Sequence, residues 1–190
     1  MKIYQYKDYE EYVKWQIHTN KVKKGWVYVS RGTIEQIARD KVTASTIICH
    51  GTRAAYEQEF FKIYFPDAEI IGTEISDNAT EYPMTVQHDF NVQKPEWVGK
   101  FDIIYSNAID HSIDPKATLS TWRDQLNSTG RLYVEYSQQQ SIPGGTVNDP
   151  LDATTEEVEK LLLEIDLTIV GKIEDQVRAN GVVFICEKLK

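Results

Sequence analysis

Four places in this chain of 190 residues carry side chains suited to holding or changing a ligand. The first is Gly51-Thr52-Arg53, followed by Ala54-Ala55-Tyr56-Glu57. A glycine at that point lets the backbone approach a bound group. A helix opening just beyond it offers free N–H groups to an anion such as a carboxylate, and Arg53 can pair with the same anion through directional hydrogen bonds. The second place is Gly72-Thr73-Glu74, with Ile75 behind it. A carboxylate closing a strand can accept both hydroxyl hydrogens of a ribose. The third is His88-Asp89-Phe90, where Asp89 can accept from an exocyclic amino group and Phe90 can cover a ring. Taken alone, Asp89 reads more readily as a turn or N-cap residue than as a ligand contact. The fourth is Asp110-His111. Imidazole is the usual choice for taking a proton from a hydroxyl near neutral pH, so His111 is the candidate base, with Asp110 beside it. The competing reading makes His111 a cap for the next helix or part of a pocket wall.

The elements around these residues must bring them to one edge. Short apolar runs alternate with helical stretches from Thr46 onward: Ile47-Ile48-Cys49, Ile70-Ile71, Phe101-Asp102-Ile103-Ile104-Tyr105 and Leu132-Tyr133-Val134-Glu135-Tyr136. Brief apolar strands between helices predict a parallel sheet covered on both faces. Ligands in such sheets sit beyond the carboxyl ends of the strands, where strand order reverses. Asp114-Pro115 supplies an N-cap and a first-turn proline to a helix carrying Leu119, Trp122 and Leu126. Thr154 and Glu157 form a capping box ahead of Val158, Leu161, Leu162 and Ile165. Leu167-Thr168-Ile169-Val170 and Val182-Val183-Phe184-Ile185-Cys186 are joined by about ten polar residues, which suits a hairpin and not a parallel crossover. The predicted fold is α/β and doubly wound, a mostly parallel seven-stranded sheet with a C-terminal antiparallel hairpin.

The first 43 residues read as helical. Asp8 and Glu11 have the form of a capping box before Tyr9, Tyr12, Val13 and Ile17, and Thr33 with Gln36 looks like another before Ile34, Ile37 and Ala38. Between them lies Trp26-Val27-Tyr28-Val29, an apolar stretch whose type the pattern leaves open. The expected organisation is one domain over 1–190, with a helical appendage or lid over 1–43 and a core over 44–190. A second cover is the loop from Ser137 to Asp152, rich in Gln, Gly and Asn, since loops of that length at a ligand edge are usually functional or disordered.

Composition narrows the partners. At 41% hydrophobic and 26% charged, the chain can bury a core without staples. A net charge of −8 disfavours nucleic acid, because duplex phosphates repel an acidic surface that lacks a segregated basic patch. The basic cluster Lys21, Lys23 and Lys24 reads as a solvated turn or, less simply, as a contact for an anionic substrate. No apolar run reaches the roughly 20 residues of a membrane span, and the start of the chain lacks the pattern of a signal peptide. Cys49 and Cys186 sit in apolar runs as inert thiols, and four scattered histidines give no zinc pattern. A cytoplasmic protein with a small-molecule substrate, no metal, no nucleic acid and no membrane is expected.

These motifs, from Ile47 to Ser137, resemble the class I (Rossmann-like) S-adenosylmethionine-dependent methyltransferases. The chain is similar to the branch whose first motif reads glycine, small residue, arginine, then a glutamate: here Gly51-Thr52-Arg53 and Glu57. The run Phe101 to His111 matches a block with Phe-Asp, two apolar residues, a serine and an acid–histidine pair, and Asp114-Pro115 follows it. Trp122-Arg123 through Gly130-Arg131-Leu132 matches the next block with one glycine missing. The resemblance implies S-adenosylmethionine as cofactor, held by Gly51, Thr52, Arg53, Glu57, Glu74, Ile75, Asp89, Phe90, Ser106 and Asn107. His111 and Asp110 would serve catalysis on a small-molecule, sugar-like or peptide acceptor. The departure lies at the first strand, where the family's acid and extra glycines give way to Cys49, Arg53 and Ala55. Loss of that acid removes one partner for the cofactor's amino group. Two alternatives stand beside this reading. One is a noncatalytic cofactor-binding or scaffold protein of the same fold. The other is a nicotinamide-dependent oxidoreductase using Gly51 and Glu74, against which the absent G-x-G-x-x-G spacing counts.

Overall fold

The computed structural model describes residues 1–41, 43–178 and 180–189. The elements run β1 (Lys2–Ile3), α1 (Tyr9–Val22), α2 (Arg31–Asp40), β2 (Thr46–His50), α3 (Tyr56–Tyr64), β3 (Glu69–Glu74), β4 (Thr85–Gln87), β5 (Phe101–Ser106) and α4 (Pro115–Gln125). They continue through β6 (Leu126–Tyr136), β7 (Leu151–Asp152), α5 (Thr155–Leu163), β8 (Leu167–Glu174) and β9 (Val182–Lys188). Seven strands form one sheet in the order β4-β3-β2-β5-β6-β9-β8. The first five are mutually parallel, and β9 runs antiparallel to both β6 and β8. Strand order reverses between β2 and β5, which puts the ligand-binding crevice of such sheets beyond His50 and Ser106.

Alternation along each central strand feeds two cores. Ile48, Ile104, Leu132 and Val134 face one side with Trp122, Leu119 and Leu162, while Ile47, Ile103, Tyr105 and Tyr133 face the other with Phe61, Ile34 and Ile37. A strand buried on both faces has no polar side to show, which is why these segments read as continuous apolar runs. Among the described residues no helix is long and apolar enough to cross a membrane.

Local signals behave mostly as their chemistry dictates. Asp114 accepts from the Ala117 N–H at 3.0 Å, and Thr154 and Glu157 make the full reciprocal box. At α1 the arms split: Asp8 accepts from Glu11 N–H, but Glu11 reaches back to the N–H of Lys7. The expected box at Thr33 and Gln36 is corrected. Ser30 is the N-cap, its Oγ accepting from Thr33 N–H at 2.9 Å, so α2 begins earlier and Thr33 lies inside it. The serine sits in extended backbone, as capping requires, and Thr33 spends its hydroxyl on Ser30 Oγ. The first 43 residues are not wholly helical either, since β1 pairs antiparallel with β7, and Trp26 to Val29 forms no regular element. β8 extends to Glu174 across a register shift between Ile169 and Gly171, which shortens the hairpin connection. α2 buries Ile34 and Ile37 completely against the sheet.

Candidate functional site

The sheet's carboxyl edge opens into a cavity of about 350 Å³, the size of a small-ligand site. Every residue assigned above to the cofactor or to catalysis lines it except Ser106. The turn after β2 forms its floor. Gly51 has φ +73°, and a β-carbon there would lie 2.5 Å from Ala108 Cβ, so this position admits no side chain. The N–H groups of Gly51 and Thr52 both donate to the Thr73 carbonyl at 3.0 Å, which ties the turn to β3. Arg53 and Ala55 also take left-handed backbone, and α3 starts without a side-chain cap. Its first N–H groups are therefore left for a ligand. Arg53 donates from Nη1 to the Trp26 carbonyl at 3.4 Å and lies over the Tyr28 ring.

Two acids at the ends of β3 and β4 keep capacity for a guest. Glu74 Oε1 accepts from Ser76 N–H and Oγ–H, leaving Oε2 uncommitted. Asp89 Oδ1 accepts twice from Asn91, and Oδ2 accepts from Tyr9 Oη at 2.8 Å. A carboxylate offers about four acceptor positions, so Oδ2 retains one. Phe90 packs under Gly51 and edge-on to Trp122.

β5 delivers the remaining groups. Ser106 is buried, donating to the His50 carbonyl and accepting from Ala108 N–H, so it stitches β2 to the turn after β5 and does not line the cavity. Asn107 and Asp110 do line it, and Asn107 Nδ2 and Asp110 Oδ1 are buried with no hydrogen-bond partner. Glu57 Oε2 and Asn20 Nδ2 share that condition at the same cavity. Buried polar atoms without protein partners are rare in native proteins and call for a partner such as a water or a ligand. His111 Nδ1 donates to the Asn148 carbonyl at 2.9 Å. Nε2 lies 3.8 Å from Asp110 Oδ2 and 3.7 Å from Asp149 Oδ1. His50, the other histidine near this edge, is fully enclosed: Nε2 meets Gln125 at 2.8 Å, and the ring stacks on Trp122. Burial lowers its pKa to about 3, so it stays neutral and structural.

The sequence reading named the helical lid and the loop from Ser137 as covers but not the residues that do it. Gln16, Thr19 and Asn20 of α1 face the cavity, joined by Asp149 of that loop and, unforeseen, by Arg178 from the hairpin loop. Arg178 is fixed by Glu135 at 2.5 Å and Asp175 at 2.8 Å. The basic cluster disperses into ion pairs, Lys21 with Asp77, Lys24 with Glu81 and Lys23 with Asp149, and of the three lysines Lys23 alone reaches the cavity.

No family model matches the sequence, and no curated protein sequence is similar to it. Solved structures supply the comparison. The 1,6-didemethyltoxoflavin-N1-methyltransferase of Burkholderia thailandensis superposes with a TM-score of 0.69 at 12% identity, over 95% of this chain and 87% of that one. The N-methyltransferase NodS of Bradyrhizobium japonicum WM9 gives 0.70 at 11% identity, over 92% and 99%. Both were solved with S-adenosylhomocysteine bound. This chain has the class I methyltransferase fold. The methyltransferase fold also carries other chemistry: the [4+2]-cyclase SpnF matches with a TM-score of 0.66 at 11% identity, over 84% of this chain and 80% of that one. Two further matches, the mitomycin 7-O-methyltransferase MmcR and the CurJ carbon methyltransferase, are spanned over only 54% and 57% of their length.

Proposed function

We propose that this chain transfers a methyl group from S-adenosylmethionine to a small-molecule, sugar-like or peptide acceptor. One observation carries the reading: the residues suited to a cofactor's tail, ribose and base line one cavity, with buried polar atoms there left unpartnered. When bound, the cofactor supplies an electrophilic methyl on a sulfonium. The chain's own residues hold, orient and exclude water. The Gly51 turn, Thr52, Arg53 and the first turn of α3 hold the amino-acid tail. Glu74 Oε2 takes the ribose hydroxyls, with Ile75 beside it, and Asp89 and Phe90 take the base. Asn107 offers its free amide hydrogens. The acceptor sits between α1 and His111, whose Nε2 takes its proton while Asn148 holds the opposite side of the ring. Buried Cys49 and Cys186 are free thiols, which suits a reducing cytoplasm.

Calorimetry with S-adenosylhomocysteine and with NAD tests the site. The first should bind and the second should not. Glu74→Ala should weaken S-adenosylhomocysteine by about 1.5–3 kcal/mol, the range for a hydrogen bond to a charged group, with the melting temperature almost unmoved. Unchanged affinity in the folded variant overturns the ribose assignment. Because the fold also carries a cyclase, a turnover assay with candidate acceptors separates an enzyme from a noncatalytic cofactor binder.

A further inference from the structure

Cys49, in β2, is completely buried in the apolar core and does not line the cavity. A carboxylate enters the cavity just after the turn that follows β2. Glu57, in the first turn of α3, is 7% exposed and lines the cavity, and its Oε2 is buried with no partner. The left-handed backbone at Arg53 and Ala55 brings α3 in at this angle. The side chain of Asn107 lines the same cavity and lies beside the Glu57 carboxyl. We propose, resting on the cofactor reading above, that Glu57 is the counter-charge for the cofactor's α-ammonium group and surrenders a proton to solvent when that ammonium arrives.

The reasoning is electrostatic. A carboxylate enclosed this far cannot stay ionised without a cation or several donors. The groups that face it are Arg53 from the turn, Cys49 of β2, Tyr105 of β5, Asn107, and Glu135 of β6. The Glu57 backbone N–H, Arg53 and the Asn107 side chain pull the carboxyl toward ionisation, but the Arg53 guanidinium lies over Tyr28 and donates to Trp26. Glu135 pushes the other way, and Arg178, which could offset it, is held by Glu135 and Asp175. Burial dominates and raises the Glu57 pKa to about 8, so at neutral pH the empty site holds a protonated acid. Replacing that proton with a fixed ammonium leaves the local charge the same and gives Oε2 the partner it lacks. The site thereby discriminates between ligands that carry an amino-acid tail and those that end at the sulfur.

The experiment compares S-adenosylhomocysteine with 5′-methylthioadenosine, which keeps the nucleoside and the sulfur but has no ammonium. Titrations at about pH 7 in buffers of different ionisation heat should show close to one proton released per S-adenosylhomocysteine and none per methylthioadenosine. S-adenosylhomocysteine affinity should rise by up to about tenfold per pH unit toward pH 8 and then level off. Glu57→Gln, which keeps the shape, should abolish the proton release and the pH dependence. It should weaken S-adenosylhomocysteine about 10- to 100-fold above pH 8 and leave methylthioadenosine unchanged. Binding of both ligands with no proton release, or release that survives in the variant, overturns the inference while the cofactor site stands. Failure of both ligands to bind overturns the two together.

Discussion

At the scale of single residues, the base role proposed for His111 rests on one hydrogen bond. Nδ1 donates to the Asn148 carbonyl, and Nε2 lies at the cavity near Asp110 and Asp149. With Nδ1 held by a carbonyl, Nε2 is the ring nitrogen placed to take a proton. His111→Ala should lower turnover by roughly 10²–10⁴. S-adenosylhomocysteine affinity should stay near wild type, because a base acts on the acceptor. Lost affinity with turnover unchanged at saturation would make the residue a wall of the cavity and nothing more. Residue identity alone was a partial guide here. Type and strand-end position picked out Glu74 and His111, which line the cavity, while the family resemblance added Ser106, whose hydroxyl is consumed inside the fold. Neither picked out Asp149, within the covering loop, or Arg178, which meet the cavity because distant segments fold back on it.

Among the elements, the turn from β2 to α3 has little freedom. Gly51 combines a left-handed φ with a place where an added β-carbon would lie 2.5 Å from Ala108 Cβ, so two separate penalties fall on any replacement. Gly51→Ala should destabilise the protein by about 1–3 kcal/mol. It should also weaken S-adenosylhomocysteine, since Ala108 and Phe90 must move and both line the cavity. A melting temperature and affinity equal to wild type would show that the turn relaxes freely. The sheet was legible because its strands are apolar on both faces, as Ile47-Ile48 and Ile103-Ile104 show, and because the chain between β8 and β9 is too short to cross over. The inner face of α1 was not. Gln16, Thr19 and Asn20 are polar residues at helical spacing, a pattern that reads as a solvated face until something polar is found opposite.

For the whole molecule, two buried groups tilt stability in opposite directions with pH. The His50 pKa is lowered to about 3 from 6.5, so its contribution is present above about pH 6.5 and is lost as pH falls toward 3. The Glu57 pKa is raised to about 8 from 4.5, so its contribution is complete below about pH 4.5 and is lost as pH climbs through 8. Without ligand, Glu57→Gln should gain on wild type as pH rises from about 5 to 8, by at most about 1.4 kcal/mol per unit. Denaturant melts of both proteins at several pH values measure this directly, and parallel curves would show that the carboxyl titrates normally.

Asn148 ties two of these scales together. Its carbonyl accepts from Gln16 as well as orienting His111, and its side-chain oxygen accepts from Thr19. One residue thus fastens both α1 and the imidazole ring. Under the base role proposed for His111, anything that loosens α1 at Asn148 also loosens the ring, so the helix acts as a brace for the proton acceptor.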